Sequence, residues 1–224
     1  MQSKSALHGP AMFMANSGFT LPGFPSMGAW VTYGLGSESD NLPGFIVLVS
    51  TGKFGQRQPI AARQWHSGFL PGQHQGVELR GTGDPVLYVR NPAGVDMPAQ
   101  RQVVDAVGDL NRLRDRAVDD PEISTRLSQY ELAFRMQTSV PGLMDLSSEP
   151  RNVLDLYGTK GGDGSFGSNC LLARRLAERG VRFIQLYHRD WDHHGAVKDH
   201  VAGTAAEVDQ GAAALITDLE RRGM

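Results

Sequence analysis

Histidine and aspartate are concentrated in one short stretch of the 224-residue chain. Four of the seven histidines fall within thirteen residues, and Asp190 and Asp192 lie among them. The six residues are His188, Asp190, Asp192, His193, His194 and His200. Neutral imidazole and carboxylate are ligands of zinc and of similar divalent ions. The stretch therefore predicts a metal or catalytic site, and the alternative is a polar surface loop whose histidines bind nothing.

The spacing inside this stretch divides its side chains into two sets. In an extended segment Asp192 and His194 point to one side, whereas His193 points to the other. We expect Asp192 and His194 to bind one divalent ion, most simply zinc, with calcium or manganese as alternatives. Asp190 shares the side of Asp192 and could be a further ligand or a support, and His193 could be a second support. A mononuclear site needs three or four ligands, so others must come from elsewhere in the fold.

The other reactive residues predict less. His66 and His74 lie in a loop-rich region and are expected to be surface or structural residues. Cys170 is the single cysteine, which excludes an intramolecular disulfide, and its apolar helical surroundings predict a core thiol. The glycine-rich run at 161–164 does not predict a phosphate-binding loop, because no Gly-Lys-Ser/Thr follows it. The chain has no Gly-x-Ser-x-Gly sequence, so an α/β-hydrolase triad has no support.

The histidine-rich stretch directly follows a predicted strand. Residues 181–187 and 44–49 are continuous apolar runs, typical of strands that are covered on both faces. Ligands of open α/β sheets bind beyond the carboxyl ends of the strands, which is where the stretch lies. Periodicity, caps and breakers predict helices at 10–16, 100–117, 121–138, 150–157, 167–179 and 199–222. A helix that packs back onto a strand and is followed by another helix indicates an α/β sandwich.

Two local signals and one weak strand complete the predicted elements. Asp120 and Pro121 form the N-cap and the first residue of the helix at 121–138. Pro141 is expected to end that helix, because proline lacks the backbone N–H that a helix interior requires. A weak strand is predicted at 85–90.

The composition excludes several classes of protein. Lys and Arg number 22 and Asp and Glu 24, a net charge of −2, which argues against a protein that coats nucleic acid. No run of about 18 apolar residues is present, so no membrane span is predicted. A hydrophobic content of 40% with 21% charged residues is typical of a folded globular chain. The 27 glycines and 12 prolines predict many loops.

Several longer motifs resemble one known family. They are PSMGAW at 25–30, WHSGFLP at 65–71, HQGV at 74–77, GDPVLY at 83–88, NPxGVD at 91–96, RMQTSVP at 135–141, LLARRLAERGVRFIQL at 171–186 and WDHHG at 191–195. Over its whole length the chain resembles the bacterial family called domain of unknown function 1501. Its members are sulfatase-like proteins of the alkaline phosphatase superfamily, and they are often exported. The resemblance implies that Asp192 and His194, in a Trp-Asp-x-His motif, belong to a metal site.

The resemblance also sets expectations for the fold. It implies an alkaline phosphatase-like α/β/α sandwich over residues 1–224. We expect this sandwich to be incomplete, with an N-terminal strand and the C-terminal strands missing, because full family members are about twice as long. On that expectation the chain is a partial domain, inactive alone, that exposes apolar surface meant for the absent strands. Self-association is therefore expected.

His8 enters through the same resemblance. Sulfatases carry a Cys or Ser nucleophile, followed by x-Pro-x-Arg, at the start of a helix. The run from His8 through Pro10 to Met12 has similar spacing, so His8 falls at the nucleophile and Met12 at the arginine. Formylglycine chemistry is then absent. His8 could be a metal ligand, a phosphoryl-accepting imidazole, or a histidine without function near a chain terminus.

Two functions from different classes follow from these expectations. The first is a metal-dependent hydrolase of phosphate or sulfate esters, acting on a small-molecule or carbohydrate ester. The second is a catalytically silent, exported binding protein that keeps the sulfatase-like fold. The Asp/His stretch favours the enzyme, whereas His8 in place of a hydroxyl or thiol nucleophile favours the silent protein. The family resemblance implies a periplasmic or exported location for either.

Overall fold

The computed structural model describes residues 5–56, 60–86, 91, 93–118 and 121–224. Within these residues the chain forms seven α-helices and three β-strands. In chain order they are α1 (His8–Ser17), α2 (Met27–Leu35), β1 (Phe45–Ser50), β2 (Val77–Leu79), α3 (Met97–Val118), α4 (Pro121–Met144), α5 (Arg151–Tyr157), α6 (Phe166–Ala177), β3 (Phe183–His188) and α7 (Val197–Arg222).

The three strands form one parallel sheet with β1 in the centre. The strand order is β2-β1-β3. Ile46 of β1 lies opposite Val77 of β2, and Ser50 at the end of β1 lies opposite His188 at the end of β3. The carboxyl ends of β1 and β3 therefore share one edge of the sheet, and the loops that follow them begin side by side.

β1 is buried on both faces, as its continuous apolar sequence predicts. Ile46 and Leu48 belong to the larger core cluster, in which α6 packs on the sheet and α4 packs on α6. Phe45 and Val47 point to the opposite face and pack with Trp65. Alternate side chains of the central strand thus supply two separate cores, which is why no polar alternation is visible in its sequence.

α2 covers the second face of the sheet, and glycine permits the close approach. A Cβ atom at Gly28 would lie only 2.6 Å from the rings of Phe45 and Phe183. The small residues Gly28 and Ala29 are buried against the strands, while Trp30 and Tyr33 remain exposed on the outer side of the helix. The sheet consequently has helices on both faces. The protein is a mixed α/β structure with a small parallel sheet.

Most of the predicted elements are confirmed, and two observed elements were not predicted. α1, β1, α3, α5, α6, β3 and α7 coincide with the predicted helices and strands to within a few residues. α2 and β2 lie in stretches that the sequence indicated as loop. Pro85 and Val86 are not in a strand, and the rest of the weak strand at 85–90 lies outside the described residues, as does the predicted N-cap Asp120.

The prediction that Pro141 ends a helix is wrong. α4 continues past Pro141 to Met144. Val140 and Leu143 on either side of the proline are fully buried, so core packing holds this last turn. The Arg175 guanidinium also donates to the backbone carbonyls of Gly142 (2.9 Å) and Asp145 (2.7 Å). Packing and these two hydrogen bonds offset the backbone bond that proline removes.

Among the described residues, no helix combines the length and the apolarity needed to cross a lipid bilayer.

Candidate functional site

His8, Asp192 and His194 lie together beyond the carboxyl edge of the sheet. The Asp192 carboxylate lies between the two imidazoles. His8 Nε2 is 2.9 Å from Asp192 Oδ2, and His194 Nε2 is 2.8 Å from Asp192 Oδ1. The side chains are 55%, 33% and 83% exposed for His8, Asp192 and His194. The structure thus places three of the predicted site residues in one cluster that solvent can reach.

His8 reaches this cluster because α1 is fixed against β3. His8 is the first residue of α1. Two turns further along, Asn16 Oδ1 accepts hydrogen bonds from Gln185 Nε2 (2.6 Å) and from the Tyr187 hydroxyl (2.7 Å). The partial positive charge of the helix N-terminus favours a carboxylate at this position, which agrees with the place of Asp192.

Gln56 holds the backbone of Asp192 from the loop that follows β1. Its side-chain Nε2 donates to the Asp192 carbonyl (2.5 Å), and its Oε1 accepts from the Asp192 N–H (3.0 Å). Both halves of one side-chain amide therefore bind the backbone N–H and C=O of a single residue. This pair of hydrogen bonds fixes the position and orientation of the Asp192 backbone and leaves the carboxylate oxygens free of Gln56.

Asp190 in turn orders the loop that carries Gln56. Its carboxylate is fully buried and accepts hydrogen bonds from the backbone N–H groups of Phe54 (2.5 Å), Gly55 (3.2 Å) and Gln56 (2.6 Å). Asp190 also has a positive φ of 71°, which turns the chain sharply after β3. A Cβ at Gly52 would lie 2.3 Å from Asp190 Oδ2, so the loop requires glycine there. The geometry makes Asp190 a support of the loop, because its oxygens are used on backbone donors.

His193 points away from Asp192 towards α7. Its Nε2 is 3.3 Å from Thr204 Oγ1, and its ring packs against Phe54 (6.0 Å between centroids) and His200 (5.4 Å). This is the alternation expected for an extended segment. His193 therefore fastens the loop to the start of α7, and it lies on the opposite side from the cluster.

A second polar group lies under the same edge of the sheet. His188 is almost fully buried, with Nδ1 2.9 Å from Ser50 Oγ and Nε2 3.3 Å from Glu207 Oε2. Glu207 also accepts from the Lys53 N–H (3.2 Å). His188 and Glu207 line a cavity of about 180 Å³ between α7 and the segment that precedes α6. The group links both strand ends to α7.

The remaining reactive residues lie apart from the cluster. His66 Nδ1 accepts from the Gly68 N–H (2.9 Å), which makes it a local turn residue. The His74 ring meets Tyr33 edge to face at 5.4 Å, and burial lowers the pKa of this imidazole. Cys170 is fully buried, and burial raises the pKa of its thiol to about 12. The prediction of a core thiol is confirmed.

Sequence reasoning missed Gln56, Ser50 and Glu207. Gln56 and Ser50 lie well over a hundred residues from Asp192 and His188, the residues that they contact. No local spacing could have joined them, because sheet pairing alone brings the two loops together. The only usable signal was the position of both residues just after, or at the end of, a predicted strand.

The cluster has metal-binding donors but no ready coordination geometry. Among the described residues, no group of three or more His, Cys, Asp or Glu side chains is arranged to hold an ion. In the cluster, each Asp192 oxygen is occupied by one imidazole nitrogen. The donor types nevertheless match those of zinc sites, and the exposed His8 and His194 side chains have room to turn.

Comparison with known proteins identifies a family. A family model described as protein of unknown function (DUF1501) matches residues 1–224. No curated protein and no solved structure matches the chain significantly.

Proposed function

The chain belongs to the family described as protein of unknown function (DUF1501), and we propose that it supplies a divalent-metal site for the hydrolysis of phosphate or sulfate esters. The convergence of His8, Asp192 and His194 carries this proposal. His8 is 184 residues distant from Asp192 in sequence, so the contact is a product of the fold. The place of the cluster, beyond the carboxyl ends of parallel strands, is the usual ligand position in α/β sheets.

The three side chains have the chemistry of a zinc site. His8 Nε2, His194 Nε2 and the Asp192 carboxylate would hold the ion, and water or substrate would complete the coordination. A bound divalent ion would supply positive charge that polarises the ester and stabilises the negative charge of the transition state. Asp192 is positioned by Gln56, and Gln56 by Asp190, so the protein holds one ligand rigidly while the two imidazoles adapt.

His8 is proposed as a metal ligand at the position where sulfatases carry their nucleophile. Its Nε2 faces Asp192, which fixes the ring at the N-terminus of α1. Support for an alkaline phosphatase-like α/β/α sandwich comes from the parallel sheet, the helices on both faces and a site at the carboxyl edge. The substrate proposed with this fold is a small-molecule or carbohydrate ester.

A second candidate function is a silent binding protein with the same fold. The specific observation in its favour is His8, because an imidazole replaces the hydroxyl or thiol expected of a sulfatase-type nucleophile. Hydrolysis of aryl phosphate or aryl sulfate, lost in a variant without the cluster, would favour the enzyme. Metal binding without turnover of either ester would favour the silent protein.

The proposed metal site is tested by elemental analysis of the purified chain after loading with zinc and dialysis. We expect about one ion per chain. The double variant Asp192→Asn/His194→Gln should lose it and keep its circular dichroism spectrum, because these side chains are exposed or half-exposed. A control with the same chemical changes elsewhere, Asp209→Asn/His66→Gln, should keep the ion. Equal metal content in all three proteins, or none in the wild type, would refute the site.

A further inference from the structure

Arg189 is a partly buried cation that precedes Asp192 by three residues and forms no ion pair within the part of the chain that the structure describes. Its Nε is buried and has no hydrogen-bond partner. Within the described ranges, no carboxylate forms an ion pair with Arg189, whereas Arg174 is paired with Glu149 and Glu178. A guanidinium keeps its charge and carries five donors. Burying such a group without an acceptor costs free energy, so the position indicates that Arg189 binds an anion.

The direction of the Arg189 side chain follows from the pattern of β3. Tyr187 contacts Asn16 of α1, whereas His188 points to the opposite face, towards Glu207. The Arg189 N–H donates to the Ser50 carbonyl (3.3 Å), which extends the pairing with β1 one residue past the strand. Strand alternation therefore directs the Arg189 side chain to the face of Tyr187, which is the face that α1 covers.

This face leads to the proposed metal site. Along α1, Asn16 marks the contact with Tyr187, and His8 marks the contact with Asp192. Arg189 lies between Tyr187 and Asp192 in the chain, so we infer that its side chain is directed towards the N-terminal half of α1. The N-terminus of α1 adds a partial positive charge at the same place. The nearby Asp190 carboxylate already accepts from three backbone N–H groups of the neighbouring loop.

We propose that Arg189 binds the tetrahedral oxyanion, phosphate or sulfate, of the ester at this site. The planar guanidinium can donate two parallel N–H bonds to two oxygens of one such group, which an ammonium cannot do. Arg189 thereby selects esters of phosphoric or sulfuric acid over neutral carboxylic esters. Because the oxyanion is that of the substrate at the metal site, the inference rests on the proposed function.

The test is calorimetric titration of the folded chain with inorganic phosphate, with sulfate and, as a planar anion, with acetate. Each titration is made with zinc-loaded and with metal-free protein. In Arg189→Met we expect phosphate and sulfate affinity to fall about tenfold or more, since a charge-assisted pair of hydrogen bonds is lost. Arg189→Lys should retain part of the affinity. Arg151→Met, a change at an exposed arginine paired with Asp155, should retain all of it.

Zinc content and circular dichroism of each variant separate a local effect from a loss of structure. Should Arg189→Met fail to fold, the comparison of Arg189→Lys with wild type gives the same answer. Equal phosphate and sulfate affinity in wild type and Arg189→Met would overturn the proposal, and so would a wild type that binds neither anion. The anion that binds with the higher affinity indicates whether the ester is a phosphate or a sulfate. Anion binding that depends on Arg189 in a chain that holds no zinc would preserve this inference and reject the metal site.

Discussion

Asp192 is positioned by residues that do not touch its carboxylate. Gln56 binds the backbone N–H and the carbonyl of Asp192, and the Asp190 carboxylate accepts a hydrogen bond from the backbone N–H of Gln56. The two loops beyond the carboxyl ends of β1 and β3 are thus joined by side chain to backbone contacts. The Asp192 carboxylate therefore remains available to the two imidazoles, because the hydrogen bonds that position Asp192 are made to its backbone.

Replacement of Gln56 by alanine should weaken the metal site more than the fold. Two hydrogen bonds to the Asp192 backbone are lost, which should lower the free energy of unfolding by about 1–2 kcal/mol. Zinc affinity should fall about tenfold, because Asp192 is no longer oriented. Competitive titration with a zinc chelator and urea unfolding measure the two effects. As a control, Gln73→Ala, at an exposed turn, should change neither quantity. An unchanged zinc affinity in Gln56→Ala would show that the two hydrogen bonds from Gln56 to the Asp192 backbone do not support the site.

The sequence predicts the site only as far as local spacing reaches. The i, i+2 relation of Asp192 and His194 is visible in the sequence, and the structure places both side chains in one cluster. The approach of His8 came from a family resemblance, and no spacing rule could have supplied it. The support from Gln56 and the buried contact of Ser50 with His188 depend on the register of β1 and β3. That register is a tertiary property.

At the scale of elements, α6 and α7 pack through glycine. A Cβ at Gly211 would lie 2.9 Å from the Gly167 Cα and 3.4 Å from the Cys170 sulfur. A Cβ at Gly167 would lie 2.2 Å from the Tyr157 carbonyl oxygen. The two helices are therefore in backbone contact at one point. This contact holds the start of α6 against the helix that carries Glu207 and Thr204.

Gly211→Ala should force these helices apart. We expect the free energy of unfolding to decrease by about 1–3 kcal/mol, the usual effect of overpacking a closely packed contact. Gly142→Ala in α4 is the matched control, since a Cβ there has no atom within 4 Å and alanine is the better helix former. Urea unfolding of both variants measures the difference. A Gly211→Ala protein as stable as Gly142→Ala would mean that the contact tolerates a methyl group.

The elements themselves were predictable where periodicity or a continuous apolar run was long. α6 and α7 follow from spaced apolar residues and terminal glycines, and β1 from its apolar run. α2 was missed because its nine residues include two glycines and carry an exposed aromatic face. β2 has three residues, too few for any pattern, and becomes a strand by pairing with β1.

For the whole molecule, the buried thiol adds a pH dependence to stability. Burial raises the pKa of Cys170 from 9.0 to about 12. Above pH 9 the unfolded chain releases a proton that the folded chain keeps, so the free energy of unfolding should decrease as pH rises from 9 towards 12. The slope is at most about 1.4 kcal/mol per pH unit. Urea unfolding at pH 8 and pH 10 should show an additional loss of about 1 kcal/mol in wild type that Cys170→Ala lacks. Parallel slopes for the two proteins would contradict this.

Self-association stays a prediction, and the structure identifies the surface on which to test it. Val103, Leu110 and Leu113 on α3 are 54%, 68% and 62% exposed. Contiguous apolar surface of this kind favours association, so the sedimentation coefficient should rise with protein concentration. Leu110→Glu/Leu113→Glu should suppress the rise, whereas Gln73→Glu/Thr138→Glu, with the same added charge, should not. A wild type that sediments as a monomer at every concentration would refute the prediction.

The contact between His8 and Asp192 also has a kinetic consequence. It joins positions 184 residues apart, and the pairing of β1 with β3 is nearly as distant in sequence. Contacts between residues so far apart in sequence form late in folding. The chain loses conformational entropy when the long loop closes, before the contact stabilises the fold. The α3 and α4 hairpin is local and can form early. During synthesis His8 leaves the ribosome long before Asp192 exists, so the cluster cannot acquire its geometry until β3 and the loop after it have been made.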